Sequence, residues 1–422
     1  MTVQDRAYSS PRSGRFVFGC RDARHVWLPI VVTVLAAAGL PACAHPERLA
    51  SPPREVALEA VVMDLPQARF WPVHETHKFI AEGKRSLERE MAYLNVTDFG
   101  DLPPANFLAV SGGGDDGAFG AGFLVGWTES GTRPEFKMVT GISTGALISP
   151  FAFLGSAYDE SLSKMYTTIS AGDIYEERGP IAALYDDAAA DSAPLLGLIA
   201  ERVDEEMVTA IAREYGRGRL LFIGTTNLDA KEPIIWNVGA IAASGHPSAR
   251  ELIHRIMLAS ASIPGVFPPV MFDVDIGGKP YQEMHVDGGA IVQLFLYPPA
   301  AAEEFKDAGI ERERRAFVIR NGHSHIVWEP VERQALEVVG KAISTMIFFS
   351  GINDITRTYF IARRDGVDFN YTYIAADFEA PDSDGDFDPK YMNALYSYGY
   401  DKARVGFEWR KAPSHLRIPP PQ

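Results

Sequence analysis

Two glycine-rich loops stand close together in the chain, Ser111-Gly112-Gly113-Gly114-Asp115-Asp116-Gly117 and Gly141-Ile142-Ser143-Thr144-Gly145. The second has the G-x-S-x-G form, in which glycines let the backbone turn sharply from strand to helix and hold a serine hydroxyl outward. Ser143 is therefore a candidate nucleophile. The first loop follows the apolar run Phe107-Leu108-Ala109-Val110 and presents backbone N–H groups that no side chain obstructs, as a developing oxyanion requires. A nucleophile beside an oxyanion hole points to acyl transfer.

With 37 glycines in 422 residues, G-x-S-x-G arises by chance roughly 0.2 times per chain, and G-G-G-x-x-G roughly 0.02 times. The second pattern also has the right setting. A strand over Phe107–Val110 and a helix from about Gly117 to Glu129 enclose it, and a strand at Met138–Val139 and an apolar helix over Thr144–Leu154 enclose Ser143. Helical spacing over Leu195–Tyr215 and a strand at Arg219–Gly224 continue the alternation, which predicts an α/β fold with a mainly parallel sheet and helices on both faces.

Two later segments complete the pattern: Ala259-Ser260-Ala261-Ser262-Ile263-Pro264-Gly265-Val266-Phe267-Pro268-Pro269, and Met284-His285-Val286-Asp287-Gly288-Gly289. A D-G-G tripeptide alone reads as a turn. Yet a serine hydroxyl needs a base, and a carboxylate on a rigid turn with two glycines can approach another loop closely enough to accept its proton. Asp287 can do that work.

In this order, the glycine loop, the Ser143 turn, the A-S-x-S-x-P-x-x-F-P-P stretch and Asp287-Gly288-Gly289 resemble the patatin-like phospholipases over about residues 105–322. The resemblance implies a three-layer α/β/α sandwich and a Ser-Asp dyad without histidine. Ser143 is then the nucleophile and Asp287 the base. The N–H groups around Gly112, Gly113 and Gly114, with Thr144, form the oxyanion hole, and Gly117, Gly141, Gly145, Gly288 and Gly289 support the motifs. It also implies an acyl-enzyme, a lipid or other acyl-ester substrate, and neither metal nor cofactor. The chain departs from the family in carrying Asp116, preceded by Asp115, where a basic residue is frequent. Either these carboxylates border the site and favour a neutral or zwitterionic ester, or they cap the following helix.

Other residues offer alternatives. His323 and His325 follow Asp287, so a Ser…Asp…His triad is a second mechanism, although two histidines in a polar loop are usually solvated. His285 shares the strand face of Asp287 and reads as a neighbour of the site. Asp382-Ser383-Asp384-Gly385-Asp386-Phe387-Asp388 lacks the glycine placement and distal glutamate of an EF-hand and reads as an exposed acidic loop. Phe119, Phe123, Ile142, Leu147, Phe151 and Phe153 could line an acyl pocket, but most such side chains are core.

The N-terminus reads as a targeting segment. Arg6, Arg12, Arg15, Arg21 and Arg24 precede an apolar stretch, Val26–Leu40, and Leu40-Pro41-Ala42-Cys43 resembles the lipobox of bacterial lipoproteins. On this reading residues 1–42 are a signal peptide and Cys43 is lipidated. Residues 43–54, with Pro46, Pro52 and Pro53, tether the anchor to the body, and Ala44 directs the product to an outer membrane. Ordinary A-x-A cleavage and an uncleaved anchor are the alternatives. The other cysteine, Cys20, lies in the leader, so a disulfide within the body is excluded. The formal charge is −15; without residues 1–42, which hold five Arg and two Asp, it is 35 − 53 = −18, which argues against nucleic acid as a partner. Residues 55–104 and 323–422 flank the catalytic region, the latter as a C-terminal extension with a helical pattern at Leu336–Phe349 and strand-like alternation at Phe369–Tyr373. These could extend the sheet or cover the site. No stretch after the leader reads as long and apolar enough to span a bilayer. The oligomeric state is open.

Overall fold

The computed structural model describes residues 48–416, apart from 180–186, 308, 311, 326–327, 329 and 384. The expected leader, Cys43 and most of the tether lie outside the described residues. In the body, β1 (Arg69–Phe70) and α1 (Thr76–Leu94) precede β2 (Ala105–Val110), which leads through the glycine loop into α2 (Gly117–Glu129). β3 (Met138–Gly141) leads through the Ser143 turn into α3 (Thr144–Leu154), and α4 (Asp159–Thr167) follows. A small ribbon of β4 (Glu176–Glu177) and β5 (Ala190–Asp191) precedes the helices α5 (Ala193–Arg202) and α6 (Glu205–Gly216). Then come β6 (Leu220–Asn227), β7 (Glu232–Asn237), α7 (Ala249–Ser260), β8 (Val270–Ile276) and β9 (Lys279–Asp287). The longer elements end with β10 (Arg314–His323), α8 (Ala335–Arg364), β11 (Asp368–Ile374) and α9 (Pro389–Arg404).

Among the described residues the main sheet has nine strands, ordered β1-β7-β6-β3-β2-β10-β11, with the β8–β9 hairpin joined to β6 through β9. From β6 to β11 the neighbours run parallel, whereas β1, β7, β8 and β9 pair antiparallel. Strand alternation divides the core into two layers. Leu108, Val110, Val139, Leu221, Ile223, Phe317 and Ile319 pack on the side of α2, α3 and α7. Ala109, Met138, Leu220, Phe222, Ala316 and Val318 pack on the other side, with Phe79 of α1 and with Ile355 and Ala362 of α8. The fold is thus α/β with three layers and a mainly parallel sheet, as expected.

Three expectations change in detail. The Leu195–Tyr215 pattern is two helices, α5 and α6, because the Asp204 carboxylate caps a new N-terminus by accepting from the Met207 N–H at 2.8 Å. β11 pairs parallel with β10 and, from Phe369 to Ile374, is buried on both faces, so it does not alternate in exposure. α8 runs for 30 residues, and Val338–Arg364 meets the length and hydropathy of a membrane span, correcting the reading that no later stretch does. Its C-terminal half packs on the sheet through Ile355 and Ala362, while Val338, Val339, Met346 and Phe349 are exposed. The extension also supplies α9, which lies so close to α2 that side chains at Gly122 and Gly126 would collide with the Tyr396 and Tyr400 carbonyls.

Candidate active site

Ser143 bridges β3 and α3 with φ 54° and ψ −127°, a conformation that costs a non-glycine residue and is held only by strong surroundings. Those surroundings are backbone. A Cβ at Gly141 would strike the Gly145 carbonyl, and one at Gly145 the Val110 carbonyl, so glycine lets the first turn of α3 lie against the end of β2. The Ser143 N–H donates to Ser260 Oγ at 3.0 Å, and that hydroxyl donates to the Gly224 carbonyl at 2.7 Å. Ser260 therefore ties the turn to β6.

Asp287 ends β9 opposite Thr225 of β6, and its N–H donates to the Ser262 carbonyl at 2.8 Å. The serine-rich stretch thus holds both halves of the site, Ser143 through Ser260 and Asp287 through Ser262. Asp287 Oδ1 accepts the Gly289 N–H at 2.7 Å, and the Ser143 side chain lies close enough to the carboxylate to favour its ionised form. Gly288 is required because a Cβ there would lie 2.6 Å from the Gly224 carbonyl. Ser143 is 6% and Asp287 4% exposed. Burial outweighs Ser143 and the Gly289 hydrogen bond and raises the Asp287 pKa to about 7. No histidine ring bonds to this carboxylate among the described residues. His323 and His325 instead face each other at 4.9 Å on the wall of a neighbouring cavity.

The glycine loop is fixed by β10. Ser111 N–H donates to the Ile319 carbonyl at 3.0 Å, and Asn321 Nδ2 donates to the Ser111 carbonyl at 2.9 Å. The Asn321 N–H reaches Ser111 Oγ at 2.9 Å, while its Oδ1 accepts the Gly120 N–H at 3.1 Å. A side chain at Gly113 would collide with the Asn321 carbonyl. Among the described residues the N–H groups of Gly113, Gly114 and Thr144 meet no protein acceptor, whereas Gly112 N–H donates to the Gln293 carbonyl at 3.3 Å. Gly112 is thus not a free donor in this state. Its lack of a side chain brings the loop against Ser143 Cβ and Gln293 Oε1. Thr144 Oγ1 bonds the Tyr166 hydroxyl at 2.6 Å, and only glycine fits at position 117 beside it.

Neither aspartate of the loop caps α2. Asp115 accepts the Phe387 N–H at 3.2 Å, which docks the end of the acidic loop beside the glycine loop while Asp382, Ser383, Gly385 and Asp386 stay exposed as expected, and Asp116 accepts the Tyr391 hydroxyl at 2.5 Å. Burial raises both to about 6, and Asp116 lines a cavity of about 340 Å³ beside the glycine loop. A second, mostly apolar cavity of about 270 Å³ lies beside Ile142, Gly288 and Phe295. Of the apolar candidates, Phe119, Phe123, Phe151 and Phe153 are wholly core, Leu147 nearly so, and Ile142 alone lines either cavity. His285 shares Asp287's buried face but bonds Thr225 Oγ1 at 2.9 Å and Glu283 at 3.1 Å. Glu283 in turn pairs with Arg69, so His285 braces β9 and does not touch Ser143. Ser260 lay within a motif visible in the sequence; Gln293, Asn321 and Tyr166 carried no local signal.

No curated protein sequence matches the chain. Among solved structures it is similar to VipD from Legionella pneumophila, with a TM-score of 0.36 and 10% identity over 72% of this chain and 66% of that one. It is also similar to human GIVD cytosolic phospholipase A2, with a TM-score of 0.35 and 10% identity over 79% of this chain and 63% of that one. The chain spans slightly less than two thirds of the length of both. A family model described as patatin-like phospholipase matches residues 108–296, a range that contains the glycine loop, Ser143, Ser260, Asp287 and Gln293. The chain therefore contains a patatin-like phospholipase domain over residues 108–296.

Proposed function

We propose that the chain is a serine acyl hydrolase of lipid carboxylic esters that works through an acyl-enzyme on Ser143, with Asp287 as its base. The observation that carries this reading is the placement of Ser143, on its strained turn, beside a buried carboxylate that it influences and whose pKa is raised to about 7. At that value Asp287 can take the serine proton as Ser143 attacks, return it to the leaving alcohol, and then activate the water that releases the acid. The negative charge on the tetrahedral carbonyl oxygen is met by the Gly113, Gly114 and Thr144 N–H groups, with the N-terminus of α3 adding its dipole. The turn at Asp287-Gly288-Gly289 orients the base in place of a third residue. The apolar cavity at Ile142 and Gly288 suits an acyl chain.

The test is hydrolysis of p-nitrophenyl esters and of phosphatidylcholine by the full chain in detergent, beside Ser143→Ala and Asp287→Ala. Turnover by the wild type, lost in both folded variants, is the expected result. An inert wild type whose Ser143 escapes a fluorophosphonate probe overturns it. We also propose export as an envelope lipoprotein anchored through Cys43; metabolic labelling with palmitate, abolished in Cys43→Ser, is expected.

A further inference from the structure

α8 changes character along its length. Its C-terminal half packs on the sheet through Ile355 and Ala362, but from Val338 to Ser350 no residue is buried. That uncovered half stands over the cavity of about 340 Å³, with Lys341, Ser344 and Phe348 on one wall and Ser111, Gly112 and Gly113 on another. At 3.6 residues per turn Val338, Val339, Ala342, Met346 and Phe349 share one stripe, and all five are exposed. Phe360, 57% exposed, continues it, while Ile355 and Ala362 lie on the reverse side of the helix. The helix therefore has the cavity and the sheet behind it and an apolar stripe in front.

An exposed apolar stripe of this kind marks a surface that something covers. Three observations point to lipid. First, Val338–Arg364 has the length and hydropathy of a membrane span, yet only 17% of its apolar window is buried, so it is no core helix. Second, the only carboxylate from Val338 to Arg364 is that of the buried Asp354, and Arg357, Arg363 and Arg364 are exposed. In a chain of formal charge −15, this one helix is complementary to anionic head groups. Third, Trp328, in the segment that enters α8, is 91% exposed, and tryptophan is favoured at the membrane–water boundary. A second copy of the chain fits less well: the stripe is one helix wide, well short of the roughly 800 Å² that a stable interface buries on each partner. Nor does α8 cross the bilayer. Its uncovered half is about 20 Å long against a hydrocarbon core of about 30 Å, and its other half is fastened to the sheet.

We propose that the outward stripe of α8 docks the folded body on a lipid bilayer, with Val339, Met346 and Phe349 entering the acyl region of one leaflet and Arg357 and Arg364 meeting anionic head groups. This contact is separate from an acyl anchor at Cys43 and goes beyond the hydrolase reading. It sets the cavity beside the glycine loop at the membrane surface, because the same helix walls the cavity on its inner side and meets lipid on its outer side.

The test uses the full chain with Cys20→Ser and Cys43→Ser, reconstituted in vesicles of phosphatidylcholine with or without phosphatidylglycerol, and a nitrobenzoxadiazole label on the single cysteine of Met346→Cys. Its emission is expected to be blue-shifted and quenched by doxyl-labelled lipid, more strongly with phosphatidylglycerol. The same label at Glu160 of α4, in the opposite layer and 83% exposed, is expected to stay in water. A Met346 label that stays in water overturns the docking. One that is shielded yet escapes doxyl lipid puts protein on the stripe and overturns its lipid partner. Kinetics give a second readout, since Val339 and Met346 are exposed and line neither cavity. Val339→Asp with Met346→Asp is expected to slow hydrolysis of vesicle lipid at least about fivefold and that of a short soluble ester less than about twofold. Equal losses on the two, or none, overturn the proposal. A chain inert on both esters defeats the hydrolase reading, and the label still decides the docking.

Discussion

The Gln293 carbonyl accepts the Gly112 N–H at 3.3 Å, so one main-chain oxygen of the enzyme rests on the loop proposed to bind the substrate's oxyanion. The same residue is held from behind. Its N–H donates to Asp354 Oδ2 of α8 at 2.7 Å, and its Nε2 donates to the Gly289 carbonyl at 3.1 Å, beside the proposed base. Gln293 is thus tied to both the glycine loop and the turn of the proposed base, and we predict that it covers the dyad, with Asp354 as its latch. A hydrogen bond to a charged group contributes about 1.5–3 kcal/mol, enough to bias a segment that has to move for substrate to enter. Asp354→Ala is expected to raise kcat/KM on a short soluble ester about threefold to tenfold while lowering the melting temperature by several degrees. Lower activity in a folded variant would show that Gln293 helps to build the site rather than close it.

Ser260 positions the nucleophile through its backbone. One hydroxyl accepts from Ser143 N–H and donates to the Gly224 carbonyl, and Ser260 is wholly buried. Removing it leaves a buried N–H without an acceptor, at a cost of about 1–3 kcal/mol, just where φ is unfavourable. Ser260→Ala is expected to lower kcat about 10- to 100-fold, a loss of about 1.4 kcal/mol per factor of ten, with KM little altered. Fluorophosphonate labelling at Ser143 should slow by a similar factor.

The β2–loop–α2 and β3–turn–α3 units are legible in the sequence because their signals are local: apolar runs of strand length, glycines where the backbones touch, and a helix of matching bounds. Asp287 is legible for the same reason, since two glycines beside an acid advertise a rigid turn. What covers and tunes the site is not legible. Gln293 lies in an irregular segment, Asp354 lies within an apolar helix, and both become meaningful only when α8 folds over the sheet. The single cation in the run Phe317-Val318-Ile319-Arg320 did carry a signal, a charge where the strand pattern demands burial, but its neighbours Phe348, Tyr371 and Asp116 come together only in three dimensions. The same holds for His323 and His325, whose order in the chain fits a triad and whose positions do not.

Asp116 depends on Tyr391, whose hydroxyl is its short hydrogen-bond donor, and burial already holds its pKa at about 6. Without that donor the ionised form loses its main support and the folded-state pKa climbs further above the ordinary 3.8. A raised carboxyl pKa makes the folded protein bind protons that the unfolded chain releases, so stability falls as pH rises through the interval between the two values. Tyr391→Phe is therefore expected to be more destabilising at pH 8 than at pH 5, by about 1–3 kcal/mol at the higher pH. Equal losses in urea unfolding at both pH values would mean that the hydroxyl contributes packing alone.

Asp287 sets both the pH profile and a stability cost of the proposed chemistry. As a base it has to be ionised, so kcat/KM on a soluble ester is expected to rise with pH and level off above about 7, where its folded-state pKa lies. The same burial opposes folding. The folded protein binds the Asp287 proton up to about pH 7, whereas the unfolded chain releases it near 3.8, so this residue's contribution to stability declines across that window and is most unfavourable above it. Asn in its place carries no charge and can still accept the Gly289 N–H. Asp287→Asn is therefore expected to be inactive yet to melt higher than the wild type at pH 8, with the difference shrinking toward pH 5. A variant that melts lower at pH 8 would mean that the carboxylate stabilises the closed site, and the acid limb of the rate profile would then have to come from another group.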